Sequence, residues 1–205
     1  MEGNNQVQLK EKIGLDFAAS LRTFLRQDPD IIMVGEIRDV DTAKMATRAA
    51  LTGHLVLSTI HTNSAVGVIS RLVEMGVSPF LIADTLNVAV AQRLIRVLCP
   101  HCKEPAELSA DHQYFDELKS QGVVGHYKPV GCTACYNTGY RGRKAIYEVV
   151  PVDSQVTGMI KKDQIDQIEN YMKEKKIKLL TDSAIELLER GETSLEEINP
   201  YINHD

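Results

Sequence analysis

Two stretches of this chain close apolar runs on side chains suited to phosphate chemistry. The first, Ile31-Ile32-Met33-Val34-Gly35-Glu36, ends on a carboxylate; the second, Leu55-Val56-Leu57-Ser58-Thr59-Ile60-His61, ends on hydroxyls and an imidazole and is preceded by His54. A short apolar run that closes on Gly-Glu reads as a fully buried parallel strand. Such a strand carries its acid to the rim of an α/β sheet, where these folds bind ligands. The second run repeats the device, so Ser58, Thr59 and His61 are expected to emerge beside Glu36. A lone acid after an apolar run often only caps a helix, and Asp39 reads that way, because an alanine-rich helical stretch follows it over residues 40–50. Two adjacent polar strand tips, by contrast, make a site.

The second constellation is metal chemistry. Cys99-Pro100-His101-Cys102 and Cys132-Thr133-Ala134-Cys135 are two C-x2-C knuckles with 29 residues between them. Each tight turn offers two sulfurs to one ion, and two turns complete a tetrahedron of thiolates around Zn2+. Disulfides are the competing reading, disfavoured in a reducing compartment, and redox C-x-x-C motifs normally come singly. His101 could replace a cysteine, but four thiolates already suffice and it is expected to point outward. A shell closed by four sulfurs leaves no open position, which makes the expected zinc structural.

The elements that must position these groups follow from periodicity and caps. Asp16 reads as the N-cap of a helix whose buried stripe is Phe17, Leu21, Phe24 and Leu25, ended by Asp28-Pro29. Ser64 caps a helix with Ala65, Ile69, Leu72 and Val73 inward, and Gly76 falls at its left-handed C-terminal position. Ser78-Pro79 opens another helix, in which Leu81, Ile82, Leu86, Ala89, Val90, Leu94 and Val97 continue one stripe up to the first knuckle. Between the knuckles Ser109 caps a short helix bearing Tyr114, Phe115 and Leu118. A β-rich run over 145–150 precedes helices over 163–175 and 181–190, and Ser194-Leu195-Glu196-Glu197 fits a capping box. This order predicts an α/β layered domain.

Bulk composition narrows the class. A chain of 205 residues, 43% apolar, can bury a core of one or two domains. It has no apolar stretch of about 20 residues and no basic-then-apolar N-terminus, so a cytosolic location without a secretory signal is expected. A net charge of -5 speaks against dedicated nucleic-acid binding, despite basic clusters at 93–103, 141–144 and 173–178.

With the acid-tipped strand, the histidine-flanked strand and the paired knuckles in that order, the chain resembles the secretion ATPases of type II secretion and type IV pilus assembly, the general secretory pathway protein E-like family. Residues 27–39 resemble its Walker B region and residues 51–63 its His box, and Ala91-Gln92-Arg93-Leu94 and Gly142-Arg143 also match. The resemblance runs from Gly3 to at least Glu197. It implies part of a RecA-like core with a mainly parallel sheet over residues 1–98, a tetracysteine zinc-binding excursion over 99–143, and a return strand with a helical C-terminal subdomain over 144–205. It implies a hexameric motor, peripheral at the cytoplasmic face of a bacterial inner membrane, that works with membrane platform proteins to polymerise pilins or pseudopilins. By the same resemblance Glu36 positions Mg2+ and the attacking water of ATP hydrolysis, while His61 and His54 face the γ-phosphate. Thr59, Arg71 and Arg93 are the candidate nucleotide contacts.

One departure stands out. The 205 residues contain no G-x-x-x-x-G-K-[ST] loop, the backbone cradle and lysine that hold the β- and γ-phosphates. The family places that loop upstream, so the chain is expected to open in mid-domain, to be inactive alone, and to leave apolar strand surface that promotes self-association. The alternative reading is a zinc-stabilised protein-interaction module without catalysis.

Overall fold

The computed structural model of the chain describes residues 5–111, 113–120 and 122–202. In chain order the elements begin α1 (Phe17–Phe24), β1 (Ile31–Ile37), α2 (Val40–Leu51), β2 (Leu55–Ile60), α3 (Gly67–Glu74), α4 (Pro79–Thr85) and β3 (Val88–Leu98). They continue with β4 (Glu104–Glu107), α5 (Phe115–Ser120), β5 (Gly125–Lys128), β6 (Tyr140–Pro151), α6 (Ser154–Lys161), α7 (Ile168–Glu174), α8 (Leu180–Glu189) and α9 (Leu195–Ile202). The chain is an α/β protein of two units. One comprises the chain up to Ala89 with Pro151–Tyr171, the other Val90–Val150 with the chain from Met172. Among the described residues the strands pair two by two, β1 with β2, β3 with β6 and β4 with β5.

The first unit carries the two strand tips. Asp16 starts α1 by accepting from the backbone N–H of Ala19 at 2.7 Å, and Leu21 is buried, while the side chain of Phe17 lies outside the described residues. Asp28, at a φ of 53°, turns the chain before Pro29. Strand β1 then pairs parallel with β2, Ile31 opposite Leu55 through Val34 opposite Ser58. The connection between them is α2, opened by Asp39, whose carboxylate accepts from the Thr42 backbone N–H at 2.8 Å and its hydroxyl at 2.7 Å. Leu21, Ile32, Val34 and Ala49 form the core between helices and sheet, with Leu25, Ile37, Met45 and Val56 packed against it. Each such aliphatic side chain contributes roughly 1.5–3 kcal/mol by leaving water.

The expected burial of β1 on both faces does not occur. Ile32 and Val34 are buried, but Ile31 is 62% and Met33 77% exposed, and Leu55 and Leu57 of β2 lie on that open side. Among the described residues, helices α1 and α2 pack on the Ile32 and Val34 side of the pair.

Beyond β2, the Ser64 hydroxyl accepts from the Gly67 N–H at 3.1 Å at the start of α3, and Gly76 takes its left-handed conformation at φ 74°. The helix expected to run from Pro79 to the knuckle is a correction. It stops at Thr85, and residues 88–98 form a strand. Its burial alternates strictly at first, Ala89 and Ala91 in, Val88 and Val90 out, and Ile95 is buried while Leu94 is exposed. Alanines and valines spaced so evenly satisfy a period of two as well as a helical stripe, and the β-branched residues decide for the strand.

In the second unit, β4 and β5 form an antiparallel pair around α5 that periodicity did not indicate. Ser109 is not the cap of α5, since its hydroxyl accepts from the Asp111 N–H in a turn well before Phe115. Leu118 is nevertheless fully buried. The helix expected over 163–175 begins as a 3-10 turn and becomes α-helical only at Ile168. The capping box at Ser194 does not close either. Glu197 instead accepts from the Arg96 backbone N–H at 3.0 Å and from its guanidinium at 2.8 Å, and Ser194 meets the Tyr140 hydroxyl at 2.7 Å. Tertiary partners outcompete the local motif. The Arg96 guanidinium also lies 4.0 Å from the Tyr140 ring centre, which ties α9 to β3 and β6.

Candidate active site and metal centre

Strand β1 delivers Glu36 and the loop after β2 delivers His61 to the same end of a parallel pair. His61 Nε2 lies 3.2 Å from Glu36 Oε2, although 25 residues separate them. The other carboxylate oxygen of Glu36 is 2.5 Å from the Arg38 guanidinium. Arg38 escaped the sequence reading. Its signal was the Glu-x-Arg spacing, which brings both side chains to one side of extended backbone. The Arg38 hydrogen bond and charge, joined by His61, hold the Glu36 carboxyl below the usual 4.5, outweighing the opposing effect of burial. At neutral pH Glu36 is therefore an anionic acceptor. It is suited to holding a cation or orienting a water.

A depression of about 340 Å³ opens beside this group, lined by Ile37, Arg38, Ile60, His61, Arg71 and Met75. Arg71 of α3 thus joins Arg38 and His61, and its guanidinium also pairs with Glu74 at 2.9 Å. Guanidinium groups around a concavity can receive phosphate oxygens, and a neighbouring carboxylate can hold a metal ion.

The remaining candidates lie elsewhere or act differently. His54 precedes β2, at the opposite end of that strand from His61. Its Nδ1 lies 3.0 Å from the Ala49 carbonyl and 3.1 Å from the Thr52 hydroxyl, which satisfies the end of α2. Thr59 stands at the tip, but its hydroxyl donates to the Gly35 carbonyl at 2.8 Å. The Ser58 hydroxyl donates to the Thr59 carbonyl at 3.2 Å. Arg93, on β3 in the other unit, donates to the Gln92 carbonyl at 2.9 Å. Asp39 serves as the helix cap, its carboxyl held low by the Thr42 N–H and hydroxyl.

In the second unit the four cysteines converge. Their sulfurs all lie within 4.8 Å of one another. Cys99 and Cys132 are 3.9 Å apart, and Cys102 and Cys132 are each 3.8 Å from Cys135. Four thiolates about 2.3 Å from a tetrahedral ion stand about 3.8 Å from each other, so the set fits a metal ion. Backbone N–H groups support the sulfurs, Gly131 donating to Cys102 at 3.3 Å and Gly139 to Cys135 at 3.2 Å. Glycine is required at both. Each has a positive φ, and a side chain at Gly131 would meet the Asn137 carbonyl oxygen at 2.8 Å while one at Gly139 would strike Pro129. Burial pushes the Cys102 thiol up to about 11. Burial also opposes ionisation of Cys135, but the Cys132 and Gly139 N–H groups and the neighbouring thiols outweigh it and bring that group to about 6. His101 is exposed and outside the cluster.

Comparison with known proteins gives the family. Residues 1–200 match the family model described as Type II/IV secretion system protein. The chain is 57% identical over 152 residues to the type IV pilus assembly ATPase PilB of Myxococcus xanthus, covering 73% of this chain and 27% of that protein. It is 44% identical over 203 residues to the type II secretion system ATPase E of Vibrio cholerae, covering 97% of this chain and 39% of that protein. Among solved structures, the pilus retraction motor PilT with bound ADP superposes with a TM-score of 0.65 at 25% identity, covering 93% of this chain and 44% of that one. The Legionella pneumophila ATPase DotB gives 0.63 at 23% identity, a likeness of fold, covering 91% and 42%. The chain therefore spans less than half the length of these relatives. It belongs to the Type II/IV secretion system protein family, whose relatives here are ATPases of type II secretion and type IV pilus assembly.

Proposed function

We propose that this chain is the catalytic-rim and zinc-braced part of an ATP-hydrolysing motor that drives pilin or pseudopilin assembly. The observation that carries the reading is the meeting of Glu36 and His61 at 3.2 Å across two parallel strand ends, next to a concavity lined by Arg38 and Arg71. Phosphoryl transfer asks mainly for positioning and for charge stabilisation around in-line oxygens, and this rim has groups for both. In this reading Glu36 orients Mg2+ and the attacking water, and His61 and Arg71 face the nucleotide, while the Thr59 hydroxyl stays on the Gly35 carbonyl. Arg93 is the candidate contact to a neighbouring subunit's nucleotide. The pair β1 and β2 belongs to a RecA-like, mainly parallel sheet. The assembly is a hexamer, peripheral to a bacterial inner membrane, engaging platform proteins there. Cys99, Cys102, Cys132 and Cys135 hold a structural Zn2+ that braces residues 99–143.

The missing phosphate-loop motif makes the activity of this stretch alone a separate matter, and we infer that the isolated chain hydrolyses ATP negligibly. The test is phosphate release from Mg-ATP by this chain and by the product of the whole reading frame that encodes it. The expected result is turnover by the latter only. Turnover by the isolated chain near about 1 s⁻¹, the low end of typical enzyme values, overturns the inference, and no turnover by either overturns the motor reading. The knuckles and the lack of a phosphate loop favour the second reading, an interaction module, if that is the outcome.

A further inference from the structure

The register of β1 against β2 breaks at the site. Val34 faces Ser58 and Ile37 faces Ile60, so Gly35 and Glu36 together oppose Thr59 alone. Two residues against one is a β-bulge, uncommon between parallel strands. Its effect on side-chain direction is visible in the core. Strict alternation after Val34 would send Ile37 to the open side with Ile31 and Met33, yet Ile37 packs on the cluster that contains Ile32 and Val34. The extra residue resets the alternation, and Glu36 is the residue left at the point of the shift.

A bulge disrupts the ladder locally, and a side-chain hydrogen bond across it can fix its geometry. Here the Thr59 hydroxyl donates to the Gly35 carbonyl at 2.8 Å, across the gap that the bulge opens. The peptide unit so held is the one that leads into Glu36. We propose that Thr59 is a positioning residue that locks this bulge and thereby aims the Glu36 carboxylate, and that it acts through the Gly35 carbonyl without touching nucleotide. This deepens the motor reading and rests on it for the role of Glu36. Arg38 and His61 then hold the aimed carboxylate by one oxygen each.

Thr59 is exposed, and Thr59→Val keeps its shape while deleting the hydroxyl, so folding is not at risk. Thr59→Ser keeps the hydroxyl. Two measurements separate the possibilities. In the product of the whole reading frame, Thr59→Val is expected to lower kcat for ATP hydrolysis by roughly 10- to 100-fold with KM within about twofold, the scale of a misplaced catalytic group, and Thr59→Ser to restore it. In this chain, carbon-13 NMR is expected to show the Gly35 carbonyl and Glu36 carboxyl resonances moved by Thr59→Val and returned by Thr59→Ser. A raised KM with unchanged kcat overturns the proposal by making Thr59 a nucleotide contact. Unmoved resonances, or a serine variant no better than valine, overturn it as well. If the unsubstituted protein releases no phosphate, the motor reading fails, and the NMR result still decides whether Thr59 aims Glu36.

Discussion

At the scale of single residues, the company a carboxylate keeps decides what it can do. Glu36 and Glu197 are both held below the ordinary value, but to different ends. Glu36 remains at a rim beside an imidazole, while Glu197 is spent on Arg96 within the second unit. Burial pushes the Glu197 carboxyl up, and the Arg96 guanidinium and backbone N–H more than reverse it. The sign of the resulting pH dependence is fixed. A depressed carboxyl stabilises the fold above its ordinary value of 4.5, and that contribution is lost as pH falls through the lower folded value. Glu197→Gln is therefore expected to lower the urea midpoint at neutral pH and to flatten its acid-side decline below about 4.5. An unchanged acid limb would show that other groups govern that decline. The residues most legible in the sequence were those whose type and context agreed. Glu36 after an apolar run, His61 after another and the paired cysteines all appear where their patterns placed them. Arg38 was missed because its signal, the Glu-x-Arg spacing, is too short to stand out as a period beyond the strand. The uses of His54 and Thr59 depend on which carbonyl lies nearest, and that is fixed by the bulge and by the end of α2, neither of which composition reveals.

At the scale of elements, caps and left-handed turns were legible because they are local. Asp16, Asp39 and Gly76 do the work their sequences imply. What failed depended on partners distant in the chain. The stretch after Thr85 became β3 because β6, some fifty residues on, pairs with it, and the Ser194 motif gave way to Arg96 and Tyr140. The knuckles are elements of the same kind, since the Cys99 N–H of the first donates to the Gly139 carbonyl beyond the second at 2.9 Å and their four sulfurs converge. Metal removal should accordingly act on this segment first. One equivalent of Zn2+ per chain is expected by elemental analysis, and chelation or Cys135→Ser should raise amide hydrogen exchange over 99–143 and lower the thermal midpoint. Retention of full exchange protection without metal would mean that β4, β5 and α5 hold the segment by themselves.

At the scale of the whole chain, two clusters of different chemistry share one polypeptide, the Glu36–His61–Arg38 rim in one unit and four converging cysteines in the other. The open side of β1 and β2, bearing Ile31, Met33, Leu55 and Leu57, is apolar surface that the described residues leave uncovered. This accords with the fact that the chain spans only 27% and 39% of the relatives described above. Among the described residues no helix is long and apolar enough to cross a membrane. The claim on which the account depends is that the Glu36 carboxylate serves the chemical step at the rim. The most direct measurement compares ATP binding and phosphate release for Glu36→Gln in the product of the whole reading frame. The account predicts that nucleotide is still bound while release falls by on the order of 100-fold or more. Release within a few-fold of the unsubstituted protein would contradict it.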